Sequence, residues 1–345
     1  MKAQLVGRNG PGAAQGKVDV MMASVQQRSV SVEGVDIAFS ISGAGPLVVL
    51  MHGWPELGLS WRHQVGPLVE AGYRVAVPDM RGYGRSGKPA APERYTLDQL
   101  ADDMAAIAAD VGAARWGAVG HDWGAPCAWR CALRFPKQVA AVFGMSVPHS
   151  KPPPIPFFDM IEKRFPDRFF YMRYFQDVGV AEAELAGSDL TAALKKIFYS
   201  GSGDGVRQGA LSQMPRDARL LDSFGAPPPG PLPFMPDDEL AHYVSAFHAG
   251  GWTGPLNWYR NFNQNAKDAL AYGDNIVRQP AGFLAGEYEA VLRMLPNQLE
   301  NMRALCTDLR MERRPAGAGH WIQQERPAET NAALLEFLAA VRDTL

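Results

Sequence analysis

From Val30 onward the apolar and polar positions change period in a regular order. "VSVEGVDIAFSISG" alternates apolar and polar residues and predicts a β-hairpin. "PLVVLMHG" and "YRVAVPDM" are short continuous apolar runs, the pattern of strands buried on both faces. Between them "LSWRHQVGPLVEAG" has helical spacing and closes on Gly72, a residue suited to the left-handed turn that ends a helix. "TLDQLADDMAAIAADVGA" predicts a helix capped by Thr96, with Leu97, Leu100, Met104, Ile107 and Val111 along one face. Next come a strand in "RWGAVG", a helix in "APCAWRCALRFP" and a strand in "VAAVFGMSV". Strands alternating with helices at this density predict an α/β fold with a mostly parallel sheet covered by helices on both faces.

The alternation fails between Pro148 and Asn265. That span holds "PHSKPPPIPFFD", aromatic-rich helical stretches such as "FFYMRYFQ" and "LTAALKKIFYS", and the breaker-rich run "GAPPPGPLPFMP". Strand-like "AGFLAGE" and "DLRMERRP" and a last helix, "PAETNAALLEFLAAVRDTL", then restore the first pattern. The expected organisation is a mobile N-terminal extension over 1–29, a core over 30–147 and 266–345, and a mainly helical cap inserted over 148–265, with a flexible loop at 201–236.

Composition narrows the function classes. A 345-residue chain with 47% hydrophobic and 20% charged residues can bury a large core, and a formal net charge of −2 gives no bulk attraction to nucleic acid or anionic membrane. Three cysteines, Cys127, Cys131 and Cys306, are too few for a disulfide framework and favour free thiols in a reducing, cytoplasmic compartment. Cys127 and Cys131 stand one helical turn apart and read as a buried apolar pair. Residues 1–30 lack the apolar core of roughly 7–15 residues that a signal peptide needs.

Two glycine-rich stretches compete for attention. "GYGRSG", Gly82 to Gly87, fits a nucleotide-binding pattern, but Lys88-Pro89 and "AAPERY" follow where a helix would have to start, so it reads as a turn-rich loop. "VGHDWGAP" sits between a predicted strand and a predicted helix. There Gly120 and Gly124 bracket Asp122 as small residues bracket the reactive side chain of a nucleophile elbow; the plain alternative is a helix N-cap. Two segments favour the elbow. "VVLMHGWPE" ends a strand with His52-Gly53-Trp54-Pro55 and offers the Trp54 N–H, with that of Trp123, as an oxyanion hole of the α/β-hydrolase kind. "GAGHWIQQERP" places His320 after the last strand, where that fold carries its base. The acid should follow the penultimate strand, where Glu289 is favoured over Glu287, with Asp274 and Asp308 as further alternatives.

Taken together, "MHGWPELGLSWRHQ", "GYRVAVPDMRGYGRSGKP", "VGHDWGAP", "YMRYFQDVGVAEAEL", "GPLNWYRN" and "GHWIQQERP" resemble the soluble epoxide hydrolases of the α/β-hydrolase superfamily, from about Val30 to the C-terminus and weakly over 201–236. The resemblance implies two cap tyrosines that hold and protonate an epoxide oxygen. By motif position these are Tyr171 and Tyr259, although Tyr174 on the same helix could also face inward. Two positions depart from the pattern: the acid is commonly aspartate, where Glu289 is one methylene longer, and Met172 stands where some relatives carry a polar residue. The implied partner is a small-molecule epoxide, with no nucleic acid, membrane, metal or cofactor; a homodimer stays open.

Elementary chemistry agrees with that reaction class. A carboxylate is already ionised near neutrality and can attack a strained ether or an alkyl halide directly, whereas its attack on an acyl carbon would give a high-energy anhydride. Expected is an Asp122 ester that water, activated by His320 and Glu289, then hydrolyses to release a vicinal diol. A haloalkane or haloacid dehalogenase with the same nucleophile is the nearest alternative, and a non-catalytic ligand-binding member of the fold a more distant one.

Overall fold

The computed structural model describes residues 25–345 apart from 212, 295 and 296. Eight strands form one sheet in the order β1-β2-β4-β3-β5-β6-β7-β8. They are β1 (Gln26–Val32), β2 (Val35–Ser42), β3 (Leu47–Met51), β4 (Arg74–Pro78), β5 (Trp116–His121), β6 (Val139–Met145), β7 (Ala281–Leu284) and β8 (Leu309–Arg313). The β1/β2 and β2/β4 pairs are antiparallel and every other pair is parallel. The predicted mostly parallel α/β architecture is therefore present.

The continuous apolar runs have the burial such runs require. Every residue of β3, β5, β6 and β7 is buried. Alternate residues of β3 feed opposite faces: Val48 and Leu50 pack with Trp61, Leu334 and Phe337, while Val49 and Met51 pack with Met104, Ile107 and Cys127. Truncating Leu50 or Met51 to alanine costs about 2–5 kcal/mol.

Helices α1 (Arg62–Glu70), α2 (Leu97–Asp110) and α3 (Gly124–Arg134) cover the first half of the sheet. As the spacing predicts, Thr96 Oγ1 accepts from the Gln99 N–H, and Leu100, Met104 and Ile107 are buried on one face of α2. Cys127, Cys131 and Cys306 are buried free thiols. Gly82 to Gly87 forms a loop, closed by Lys88 Nζ donating to the Gly84 and Ser86 carbonyls.

Between β6 and β7 lie α4 (Phe157–Arg164), α5 (Tyr171–Tyr174), α6 (Val180–Ala186), α7 (Leu190–Gly201), α8 (Gly203–Arg207), α9 (Asp237–Gly250), α10 (Thr253–Asn257) and α11 (Phe262–Ala269). The second half of the sheet is completed by α12 (Val291–Met294), α13 (Gln298–Leu305), α14 (Ile322–Glu325) and α15 (Pro327–Ala340). Among the described residues no helix is long and apolar enough to cross a membrane.

Three details differ from expectation. β1 begins at Gln26 rather than Val30, because its first residues are polar and exposed and leave no apolar alternation to read; residues 1–24 of the expected extension lie outside the described residues. The expected 201–236 loop contains α8, capped by Ser202 Oγ accepting from the Gly205 N–H, and a one-turn helix at Leu220–Asp222 whose first N–H groups donate to Glu184. α11 runs through the expected boundary at 265/266, where no breaker interrupts the chain.

Candidate active site

The site lies at the carboxyl ends of β3, β5, β7 and β8, where open α/β sheets place their ligands. Asp122 follows β5 directly with φ 50°, a left-handed conformation that costs an L-residue about 1–2 kcal/mol. The sharp turn that results brings three backbones together. A Cβ on Gly120 would fall 1.9 Å from the Gly124 carbonyl oxygen, and one on Gly124 would fall 2.0 Å from that of Met51, so neither position admits a side chain. Gly53 is equally constrained, since its Cβ would lie 2.3 Å from Asp122 Oδ1.

Each Asp122 oxygen has its own partner. The Trp54 N–H donates to Oδ1 at 2.7 Å, and His320 Nε2 lies 3.2 Å from Oδ2. Trp123 is the N-cap of α3, so its N–H has no acceptor within the helix. The other His320 ring nitrogen, Nδ1, is 3.0 Å from both Glu289 carboxylate oxygens. The Glu289 side chain is fully buried, whereas those of Asp122 and His320 keep 13% and 11% of their surface open.

Burial and charge oppose one another in this array. Burial favours neutral carboxyls at Asp122 and Glu289, but hydrogen bonds and charge from His320 outweigh it and hold both below the usual carboxylate range. At His320 burial favours the neutral ring, and the facing Glu289 and Asp122 charges override it and raise the imidazole well above its ordinary range.

Two phenols gather on Trp54, whose N–H holds Asp122. The Tyr171 and Tyr259 ring centroids are 5.9 Å apart, and Trp54 stacks on Tyr171 at 6.4 Å and meets Tyr259 edge-on at 6.0 Å. Burial, reinforced by nearby negative charge, pushes both phenols upward, so they stay protonated and able to donate. Tyr174 points elsewhere: its hydroxyl donates to Glu184 Oε2 at 2.7 Å.

Of the acid alternatives only Glu289 meets His320. Glu287 accepts from the Gly317 N–H, Asp274 pairs with Arg278 and Asp308 with Arg310. The turn after β7 spans Gly286 to Glu289, with the Glu289 N–H donating to the Gly286 carbonyl; this carries the longer side chain inward.

Sequence reasoning missed the layer behind these groups. His121 Nε2 donates to the His320 carbonyl at 2.6 Å, and Ser146 Oγ donates to the same oxygen at 2.9 Å. His121 Nδ1 lies 2.7 Å from Glu56 Oε2, and Gln323 and Gln324 both donate to Glu56 Oε1 at 2.9 Å. His52 Nε2 accepts from the Met80 N–H, which leaves its Nδ1 to donate to the Gly53 carbonyl. The only signal was adjacency: Glu56 closes the "HGWPE" run and His121 precedes Asp122.

This sheet order, with an acidic residue at the elbow and a histidine after the last strand, defines an α/β-hydrolase-fold protein. Residues 46–194 match the alpha/beta hydrolase fold family. The chain is 38% identical to epoxide hydrolase A of Mycobacterium tuberculosis over 324 residues, covering 93% of this chain and 99% of that protein. The crystal structure of epoxide hydrolase A from Mycobacterium thermoresistibile superposes with a TM-score of 0.85 at 38% identity, covering 92% of this chain and 98% of the other. An epoxide hydrolase from an endophytic Streptomyces gives a TM-score of 0.87 at 37% identity, with coverages of 93% and 97%. The chain belongs to the epoxide hydrolase family.

Proposed function

We propose that this protein converts an epoxide and water to a vicinal diol through a covalent ester on Asp122, with residues 148–265 serving as the cap over the site. The observation that carries the reading is the Asp122–His320–Glu289 array at the elbow, with Tyr171 and Tyr259 gathered on the Trp54 whose N–H holds the Asp122 carboxylate. Trp54 holds Oδ1, which leaves Oδ2 to attack a ring carbon from the face opposite Tyr171 and Tyr259. The carbon–oxygen bond of the ring breaks as the new ester bond forms, and the phenols donate to the departing alkoxide, which would otherwise leave as a strong base.

In the second half, His320 takes a proton from water, and the hydroxide formed attacks the Asp122 ester carbonyl. Trp54 N–H, already 2.7 Å from Oδ1, and Trp123 N–H stabilise the oxyanion. Glu289 orients the ring and compensates the imidazolium that forms. The acyl–oxygen bond then breaks, the diol leaves with the attacking Asp122 oxygen, and His320 returns its proton to the leaving alkoxide; the proton of the Asp122 carboxylic acid so formed passes to the phenolate left by ring opening, which restores both groups.

Turnover of styrene-type, terminal aliphatic and fatty-acid epoxides, followed as diol, tests this reading, with haloalkanes run alongside and followed as free halide. Diol from at least one epoxide and no halide is the expected result. Halide release without diol would assign the same nucleophile to dehalogenation.

A further inference from the structure

Glu325 on α14 touches neither Asp122 nor the phenols, yet its carboxylate gathers backbone N–H groups from two parts of the molecule. Oε2 accepts from Gly203 at 2.8 Å and from Gly319 at 3.1 Å; Oε1 accepts from Gly319 at 3.2 Å and from Trp321 at 3.1 Å. Gly203 opens cap helix α8, whereas Gly319 and Trp321 flank His320. Two more bonds cross the same seam. The His320 N–H donates to the Gly201 carbonyl at 2.8 Å, and the Trp321 indole donates to the Phe198 carbonyl at 2.7 Å.

The two backbones are in contact, not merely bridged. A Cβ on Gly319 would fall 2.4 Å from the Gly201 oxygen, and one on Gly203 would fall 2.1 Å from the Gly317 oxygen. Residues 201–203 of the cap are thus seated in the loop that carries the base, and the Glu325 carboxylate closes the seat.

We propose that Glu325 is a positioning residue for ester hydrolysis: it fastens cap residues 201–203 to the His320 loop, so that the base holds its place only while that side of the cap is seated. The inference rests on the reading of His320 as the base. It assigns to the cap a role in the hydrolytic step as well as in protonation of the ring oxygen. A carboxylate is required because all of its partners are donors. In Glu325→Gln the amide keeps the length but turns an NH₂ group toward either the Gly203 or the Trp321 N–H, and one side of the seat must let go. The loop then moves relative to Asp122, and a displacement on the order of 1 Å can cost about 10²-fold in a positioned step.

The test uses the fastest epoxide of the panel in rapid-quench single turnovers, with adduct on Asp122 followed by intact and peptide mass. In Glu325→Gln, ester decay should slow about tenfold or more while ring opening stays within about twofold of the unmodified protein. Equal slowing of both steps, as a merely structural role would give, or unchanged ester decay, overturns the proposal. His320→Gln separates this from the underlying reading. No adduct in that variant removes the base assignment itself, whereas adduct there with normal decay in Glu325→Gln removes only the role of Glu325. Amide exchange in the unmodified protein is a second test that does not depend on any variant folding. The Gly203, Gly319 and Trp321 amides should open as one unit with protection within about tenfold of one another, and exchange of Gly203 at open-loop rates beside protected Gly319 and Trp321 overturns the proposal.

Discussion

The two phenols of the site are mounted differently. Tyr259 is fully embedded, and its neighbours tie it to the sheet-bearing core: the Trp258 indole donates to the Arg81 carbonyl at 3.0 Å, Asn257 to Ala90 at 3.1 Å and Asn261 to Pro92 at 2.6 Å. Arg81 itself is locked by a fully buried ion pair with Asp103. Tyr171 sits on a four-residue helix with no buried residue; its ring stacks on Trp54, and the polar ties of its neighbours stay within residues 162–214: Arg173 to Glu162, and the Phe169 N–H to the Met214 carbonyl. Gln176 links the two mounts by donating to the Tyr259 carbonyl at 2.9 Å, and Arg260 does so by donating to the Phe175 carbonyl at 2.9 Å. The neighbours of Tyr259 are thus tied by hydrogen bonds to the chain after β4, whereas Tyr171 is held chiefly by ring contacts, and a substrate is expected to displace Tyr171 more readily than Tyr259.

The contrast can be broken from the fixed side first. Asp122→Ala removes the group every later step depends on, and single-turnover diol formation should fall by at least about 10⁴-fold with no protein adduct. His320→Gln should lower steady-state turnover by about 10²–10⁴-fold yet leave ring opening intact, so that protein mass rises by one epoxide and stays there.

The phenols come next. Replacing both tyrosines by phenylalanine should slow ring opening by about 10²–10⁴-fold, and each alone by about tenfold, measured as the burst of adduct. The mounts then predict a difference between the single variants. Tyr259→Phe should lower kcat/KM by a similar factor for every epoxide, whereas Tyr171→Phe should lower it unevenly across the panel. Equal patterns would mean that the two mounts are equally stiff.

The smallest effect is in pH. On the proposed mechanism His320 must be neutral to take the proton from water, and in the resting site Glu289 and Asp122 together hold its titration well above the ordinary range against the effect of burial. Esterification removes the Asp122 charge. The rate of ester decay should therefore rise with pH along a limb centred below the resting His320 titration, and in Glu289→Gln that limb should move lower still. Stability follows the same linkage: a raised folded pKa means that His320 stabilises the fold fully below its unfolded pKa and loses that contribution as pH rises through the folded one. The alkaline decline of thermal stability should be shallower in Glu289→Gln.

What was legible in the sequence was local. Strand, Gly-x-Asp-x-Gly turn and helix are contiguous, so Asp122 and its backbone neighbours could be read directly, and strand order predicted the regions of His320 and the acid. Glu289 could be preferred to Glu287 because a residue right after the strand end is poorly placed to turn back, and the turn from Gly286 does what that placement requires. The choice of Tyr171 over Tyr174 came from a motif; where the Tyr174 hydroxyl goes, to Glu184, depends on a partner ten residues away that the motif does not include. The Glu56–His121 pair and the Glu325 seat were not legible, because their partners are far apart in the chain and meet only when the sheet is built. Polar β1 was shortened for another reason: an exposed edge strand needs no apolar pattern.

The central claim is that Asp122 becomes esterified. A single turnover with excess protein in ¹⁸O-water tests it most directly, because ester hydrolysis at the acyl carbon leaves the attacking Asp122 oxygen in the diol and puts the solvent oxygen in the carboxylate. The ester route predicts an unlabelled first diol and one ¹⁸O in the peptide containing Asp122. A first diol fully labelled with one solvent oxygen, beside an unlabelled Asp122 peptide, would contradict it.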